Sequence, residues 1–129
     1  MKAGWILIAA LLTLLLTACS NGAGGVGGDA AAVVEGYLTA KIAGNRDAMA
    51  PLICAELEGT LDMEAASFSA VKAQIEGLDC TFDEASSTVT CAGEIKAEYG
   101  LETRSFPLST YRVAQEDGAW RWCGEAAGQ

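Results

Sequence analysis

Residues 88–99 read TVTCAGEIKAEY. Val89, Cys91, Ile95, Ala97 and Tyr99 alternate with Thr88, Thr90, Glu94, Lys96 and Glu98. A period of two, with one apolar and one polar face, predicts a strand that covers a core on one side and meets water on the other. The run before it behaves similarly. Val71, Ala73 and Ile75 occupy odd positions, whereas Leu78, Cys80 and Phe82 occupy even ones. Gly77 sits where the parity flips, and a β-bulge is expected there. If residues 85 and 86 form the hairpin loop, Cys80 faces Cys91 and Phe82 faces Val89. A third strand is expected over residues 103–115, a tight turn at Glu116-Asp117-Gly118, and a last strand over residues 119–123.

Upstream of the strands the period lengthens. Asp29 is a suitable N-cap for a helix over residues 29–43, whose Val33, Val34, Tyr37, Leu38 and Ile42 recur at helical spacing. Gly44-Asn45 supplies a left-handed ending. A second helix is expected over residues 46–58, with Met49, Leu52, Ile53 and Leu57 as its stripe and Pro51 near its start. Residues 61–66 suit a third, short helix. The expected fold class is therefore α+β, with N-terminal helices packed on a curved antiparallel four-stranded meander.

The chain opens MKAGWILIAALLTLLLTACSNGAGGVGG. Its apolar run is shorter than the ~20 residues that span a bilayer, but it suits a secretory signal. Leu16-Thr17-Ala18-Cys19 resembles the lipobox of bacterial lipoprotein precursors. That resemblance implies a signal peptide over residues 1–18, diacylglyceryl and palmitate-type acylation at Cys19, and cleavage before it. Residues 19–28 then form a lipidated, glycine-rich tether, and residues 29–129 form one domain of roughly 100 residues. The implied location is the extracytoplasmic side of a membrane, anchored by lipid, either on the outer face of the plasma membrane or in the periplasm. An ordinary signal peptide with an incidental cysteine is the plainer alternative.

Losing residues 1–18 would leave 111 residues, in which seven bases face 17 acids, a formal charge of −10. So acidic a domain, with no basic cluster, speaks against nucleic acid as a partner. Cys54, Cys80, Cys91 and Cys123 remain beside Cys19, an even number that reads as two disulfides in an exported domain. The register favours Cys80–Cys91 with Cys54–Cys123. If both Trp120 and Trp122 face the helices, Cys123 points away, and either a bulge or the pairing Cys54–Cys80 with Cys91–Cys123 is needed. Zinc is disfavoured, because the spacings of 26, 11 and 32 contain no close pair and the chain lacks histidine.

Two local stretches, Tyr37-Leu38-Thr39-Ala40-Lys41 with Gly44-Asn45-Arg46-Asp47-Ala48-Met49, and Tyr111 through Asp117-Gly118-Ala119-Trp120-Arg121-Trp122, resemble the nuclear transport factor 2-like superfamily. The likeness is to its small lipoproteins in particular. The resemblance implies a cystatin-like cone. Members include isomerases, dehydratases, polyketide cyclases, ligand binders and assembly modules, so it does not decide function. The inward candidates are Tyr37, Tyr99 and Tyr111, with Trp120 and Trp122 near the open end.

No catalytic set is evident. Histidine is absent, so the commonest general base near neutral pH is missing, and so is a serine activated by it. Glu94, Glu98, Glu102, Glu116 and Asp117 fall on the polar face or in turns, and Asp79 points away from its apolar neighbours. The glycine-rich stretch before residue 29 has neither the preceding strand nor the following lysine of a phosphate loop. The reading is a non-catalytic binding or interaction module, without cofactor or metal, for a small apolar ligand or a protein partner. The alternatives are a cyclase- or isomerase-like enzyme using a tyrosine and a carboxylate, and a structural envelope component.

Overall fold

In a computed structural model of the chain, residues 26–127 are described, and side chains from residue 29 onward. The expected signal peptide and Cys19 lie outside the described residues, and so does the expected tether as far as residue 25. Within them the chain is α+β: three α-helices precede an open antiparallel sheet of five strands. No helix of the described residues is long and apolar enough to cross a membrane.

Helix α1, Val26–Ile42, starts three residues before its expected cap. Asp29 consequently lies in the first turn, where a carboxylate still meets the positive end of the helix dipole. Val33, Val34, Tyr37 and Leu38 bury the expected stripe, whereas Ile42 is half-exposed. The helix closes as the sequence suggests. Gly44 adopts φ +64°, its N–H donates to the Lys41 carbonyl, and the Asn45 N–H donates to that of Ala40. These are the two bonds of a Schellman ending.

The expected second helix is not continuous. Helix α2, Arg46–Met49, is capped by the Asn45 side chain, which accepts from the Ala48 N–H at 3.0 Å. A 3-10 turn, Ala50–Leu52, follows, and then the chain extends at Ile53. Two demands break the helix. Pro51 lacks an N–H, and Ile53 forms a parallel bridge with Trp122 while the Cys54 N–H donates to the Trp122 carbonyl at 2.8 Å. A second 3-10 segment, Ala55–Thr60, leads into α3, Leu61–Ala66, the short helix expected there.

Strands β1, Lys72–Asp83, and β2, Thr88–Tyr99, pair in the expected register, Cys80 with Cys91 and Phe82 with Val89. Their loop is four residues long, 84–87, which leaves the pairing sum unchanged. The register shifts between Glu76 and Asp79, at Gly77, φ +68°. Opposite it stands Gly93, φ +107°, where an added Cβ would lie 2.5 Å from the Glu76 carbonyl oxygen.

The expected third strand is two strands, so the sheet has five strands rather than four. β3, Glu102–Pro107, pairs with the second half of β2, and β4, Thr110–Glu116, with its first three residues. Pro107 has no N–H for a continuing ladder. Irregular bonds carry the chain across instead, Leu108 N–H to the Gly93 carbonyl and Cys91 N–H to that of Ser109. The irregularities of three neighbouring strands thus fall side by side, and bulges bend and twist the strands that hold them.

Asp117 and Gly118, both with positive φ, turn the chain into β5, Ala119–Glu125. Val113 faces Trp122, as the two-residue turn requires, but Tyr111 faces Glu125. One extra residue is therefore accommodated in β5 around Gly124, φ +97°. This bulge resolves the cysteine conflict. Trp122 and its neighbour Cys123 are both buried, and Cys123 joins Cys54 with Cα atoms 5.1 Å apart. Cys80 joins Cys91. The four sulfurs are thereby engaged in disulfides, which removes the thiolates that zinc would need.

Candidate functional site

The sheet side facing α1 gathers the aromatic residues. Tyr37 projects from α1 and is fully buried. Its ring stacks on Trp122 of β5, with centroids 3.8 Å apart and planes inclined by 12°. Tyr111 of β4 lies tilted against the same indole at 6.5 Å. Both tyrosines sit as expected. Tyr99 does not. It is 38 % exposed near the β2–β3 turn, with Arg104 over its ring, because β3 carries β2 past the part of the sheet that the helices cover. Every β3 residue is exposed. Trp120 is half-buried and meets Phe82 edge-on at 5.1 Å. It fills core rather than joining the Tyr37 group.

One carboxylate does enter this region, and the sequence reading missed it. Glu64 stands on α3, one helix turn after Leu61, whose burial docks the helix on the core. Its Oε2 accepts from the Tyr37 hydroxyl at 2.7 Å and from Lys41 Nζ at 2.7 Å. The Glu64 side chain is 19 % exposed and that of Lys41 23 %. Burial pushes the Glu64 carboxyl up, but the hydrogen bonds of Lys41 and Tyr37 and the lysine charge outweigh it, and its pKa falls below the ordinary value. The Tyr37 hydroxyl is pushed far upward, by burial first and then by its bond to Glu64. Burial likewise raises Tyr111.

Two hollows meet at this cluster. One, of about 160 Å³, is lined by Phe68, Ile95, Phe106 and Leu108 together with the Tyr37–Trp122 stack and Tyr111. The other, of about 230 Å³, adds Leu57, Thr60 and Glu64. Lys41, Trp122 and Glu125 border both. Trp122 is 5 % exposed, and its indole N–H has no hydrogen-bond partner. A buried unpaired donor is uncommon and calls for an explanation. A larger basin of about 520 Å³ lies on the opposite sheet face among Asp83, Ser86, Thr88, Thr90, Ser109 and Thr110. Its hydroxyls bond one another, Ser86 with Thr88 and Thr90 with Thr110, and it holds no aromatic wall.

The cluster is poorly suited to proton transfer. Tyr37 keeps its proton and donates a hydrogen bond to Glu64. Glu64 is stabilised as the anion by two donors, which weakens it as a base near neutral pH. Lys41 is engaged with Glu64. What the arrangement offers is an apolar, aromatic-walled cleft with a fixed charge pair and one further carboxylate, Glu125, at its border. Among the described residues no group of acids and cysteines is placed to hold a metal ion.

The sequence could have yielded Lys41 and Glu64 only through their helical phases. Lys41 lies four residues after Tyr37 and so shares its face, and Glu64 lies three after Leu61. Neither stands out by type in a chain with 17 acids. No family model matches the chain, and no curated protein matches it. The function is therefore argued from the cleft and from the N-terminal motif.

Proposed function

We propose that this chain is a membrane-anchored extracytoplasmic lipoprotein whose domain is a non-catalytic binding module. In this reading helices and sheet make a cone of the nuclear transport factor 2-like kind, with the ligand held between α1 and the inner sheet face. The lipobox-like Leu16-Thr17-Ala18-Cys19 supports the anchor. The observation that carries the binding role is Trp122, a buried indole donor without an acceptor that borders both aromatic hollows. Ligand sites are concave and mainly apolar, with few polar groups placed for orientation, and this cleft has that character.

The test is to purify the full chain from bacterial membranes and examine bound small molecules and the N-terminal peptide by mass spectrometry. The expected result is diacylglyceryl at Cys19 and a molecule carried by the wild type but lost from Leu108→Trp, which fills the cleft from its wall. A filled variant that retains the same molecule would refute the cleft reading. An unmodified residue 19 would refute the anchor. The contact of Glu64 with Tyr37 is the one observation that favours an enzyme of the cyclase or isomerase type. Under that reading, Glu64→Gln leaves affinity for the recovered molecule intact and abolishes its conversion.

A further inference from the structure

Among the described residues, Trp122 alone buries a side-chain nitrogen or oxygen that has no hydrogen-bond partner. An indole N–H is a donor only, so an acceptor is what would complete it. The acceptors around the cleft face other donors. Glu64 Oε2 takes the Tyr37 hydroxyl and Lys41 Nζ, both at 2.7 Å, and the Tyr111 hydroxyl takes the Ser109 N–H at 3.2 Å. Glu125 is exposed. The indole nitrogen is itself almost wholly covered, so bulk water does not serve it. A ligand reaches it from the hollows by turning aside side chains at their border, where Glu125 is exposed and Lys41 partly so.

A second donor borders the same two hollows. The Lys41 ammonium carries three N–H groups, and its bond to Glu64 uses one. It can therefore meet a further acceptor without leaving Glu64. One carbonyl oxygen, with two lone pairs, can accept from both the indole and the ammonium. A carboxylate also accepts, but it would set a second anion on an ammonium that Glu64 already neutralises. Glu125 at the border and the chain's net charge of −9 oppose it further.

The two hollows divide the remaining work. The smaller, about 160 Å³, is walled by Phe68, Ile95, Phe106 and Leu108, and a cavity of ~150 Å³ holds one benzene ring. The Tyr37 and Trp122 faces cover each other, so they hold such a body by their edges. The larger hollow adds Thr60 and Glu64. A ligand seated in the smaller hollow brings a polar group to the border that the two share, at Lys41 and Trp122.

We propose that the cleft takes a small neutral carbonyl compound, a ketone, ester or amide with an apolar body the size of one ring, whose oxygen accepts from the Trp122 indole N–H and from Lys41 while Lys41 keeps Glu64. The inference rests on the binding reading above and gives it a ligand class.

Cyclohexanone, cyclohexanecarboxylate and cyclohexylammonium are suitable probes. They share one saturated ring, which adds no ring current, and offer a neutral acceptor, an anionic acceptor and no acceptor. The full chain is labelled with ¹⁵N-tryptophan and carried on nanodiscs of zwitterionic lipid. Each probe is titrated against the Trp122 indole signal, identified by its absence from Trp122→Phe and its persistence in Trp120→Phe. The expected result is saturable binding of cyclohexanone that moves the indole proton downfield, as a new hydrogen bond does. Cyclohexanecarboxylate should bind at least about threefold more weakly, the scale of one like-charge contact, and cyclohexylammonium should give no downfield shift. Lys41→Met should weaken cyclohexanone about threefold, the scale of one net hydrogen bond, and Leu108→Trp should abolish the response. If cyclohexanone saturates without the downfield shift, if either charged probe binds as tightly, or if Lys41→Met changes nothing, the carbonyl class is refuted while the binding reading survives. If no probe moves the Trp122 signal, or Leu108→Trp leaves the response intact, the cleft reading falls as well. The titrations of the unaltered chain decide the ligand class even where a variant does not fold.

Discussion

Tyr37 joins three functions in one side chain: its ring stacks on Trp122, its burial fills the centre of the core, and its hydroxyl holds Glu64. Tyr37→Phe removes only the last. A hydrogen bond to a charged group contributes about 1.5–3 kcal/mol, and Glu64 keeps Lys41 as a partner. The expected loss is therefore about 1–2 kcal/mol, a fall in Tm of several degrees for a domain this size, read by thermal melts at neutral pH. The pH dependence follows from the two shifts. The pKa of Tyr37 is raised in the folded state, so its contribution is complete below the unfolded value near 10 and declines as pH rises beyond it. The pKa of Glu64 is lowered, so its contribution is present above the unfolded value near 4.3 and is lost as pH falls through the folded one. Between these limits stability should be flat with respect to both groups. Tyr37→Phe should remove part of the decline above pH 10, and Glu64→Gln part of that below pH 4. Melts of the two variants showing the same acid and alkaline limbs as the wild type would contradict the assignment.

At the scale of elements, Gly77 and Gly93 form one device. Gly77 carries the register shift, and Gly93 lets the bulged chain pass close over it, 2.5 Å from where a Cβ would stand to the Glu76 carbonyl oxygen. Both residues have positive φ, but only Gly93 faces backbone at that range; the nearest atom to a Cβ on Gly77 is 3.8 Å away. Gly77→Ala should cost about 1–2 kcal/mol, the penalty of a left-handed residue. Gly93→Ala should cost at least about 3 kcal/mol, because backbone strain and a steric clash act together. Equal losses in urea titrations of the two variants would show that the close approach is not what Gly93 serves. Gly77 was legible in the sequence because the apolar parity changes there. Gly93 was not, because Cys91 and Ile95 keep the same parity on either side of it. The break after Pro107 was hidden for a similar reason. Residues 103–115 read as one extended run, and only the pairing of β2 with two different partners divides them. The second helix failed at Ile53 because a long-range bridge to Trp122 overrides local helical spacing, which no short window of sequence contains.

For the whole molecule, the two disulfides do different work. Cys80–Cys91 ties adjacent positions of one hairpin, with a sequence separation of 11, whereas Cys54–Cys123 ties the segment after α2 to the last strand across 69 residues. In the chain-entropy view the longer closure stabilises by roughly 4 kcal/mol and the shorter by roughly 3 kcal/mol, a modest difference. Their surroundings separate them further. Around Cys54 lie the Ile53–Trp122 bridge, the Cys54 N–H bond to the Trp122 carbonyl, and the Arg112 bond to the Cys123 carbonyl at 2.7 Å. This junction places Trp122 under Tyr37 and Glu125 at the mouth of the cleft. The β1–β2 hairpin, by contrast, is held along its length by its own antiparallel pairing as well as by its crosslink. Replacing Cys54 and Cys123 together by Ala should therefore lower stability by more than the matching change at Cys80 and Cys91. It should also loosen the cleft, visible as a shift or broadening of the Trp122 indole signal that the hairpin variant does not show. A hairpin variant that disturbs Trp122 as strongly would mean that the cleft is set by the sheet as a unit rather than by the junction of Cys54 with β5.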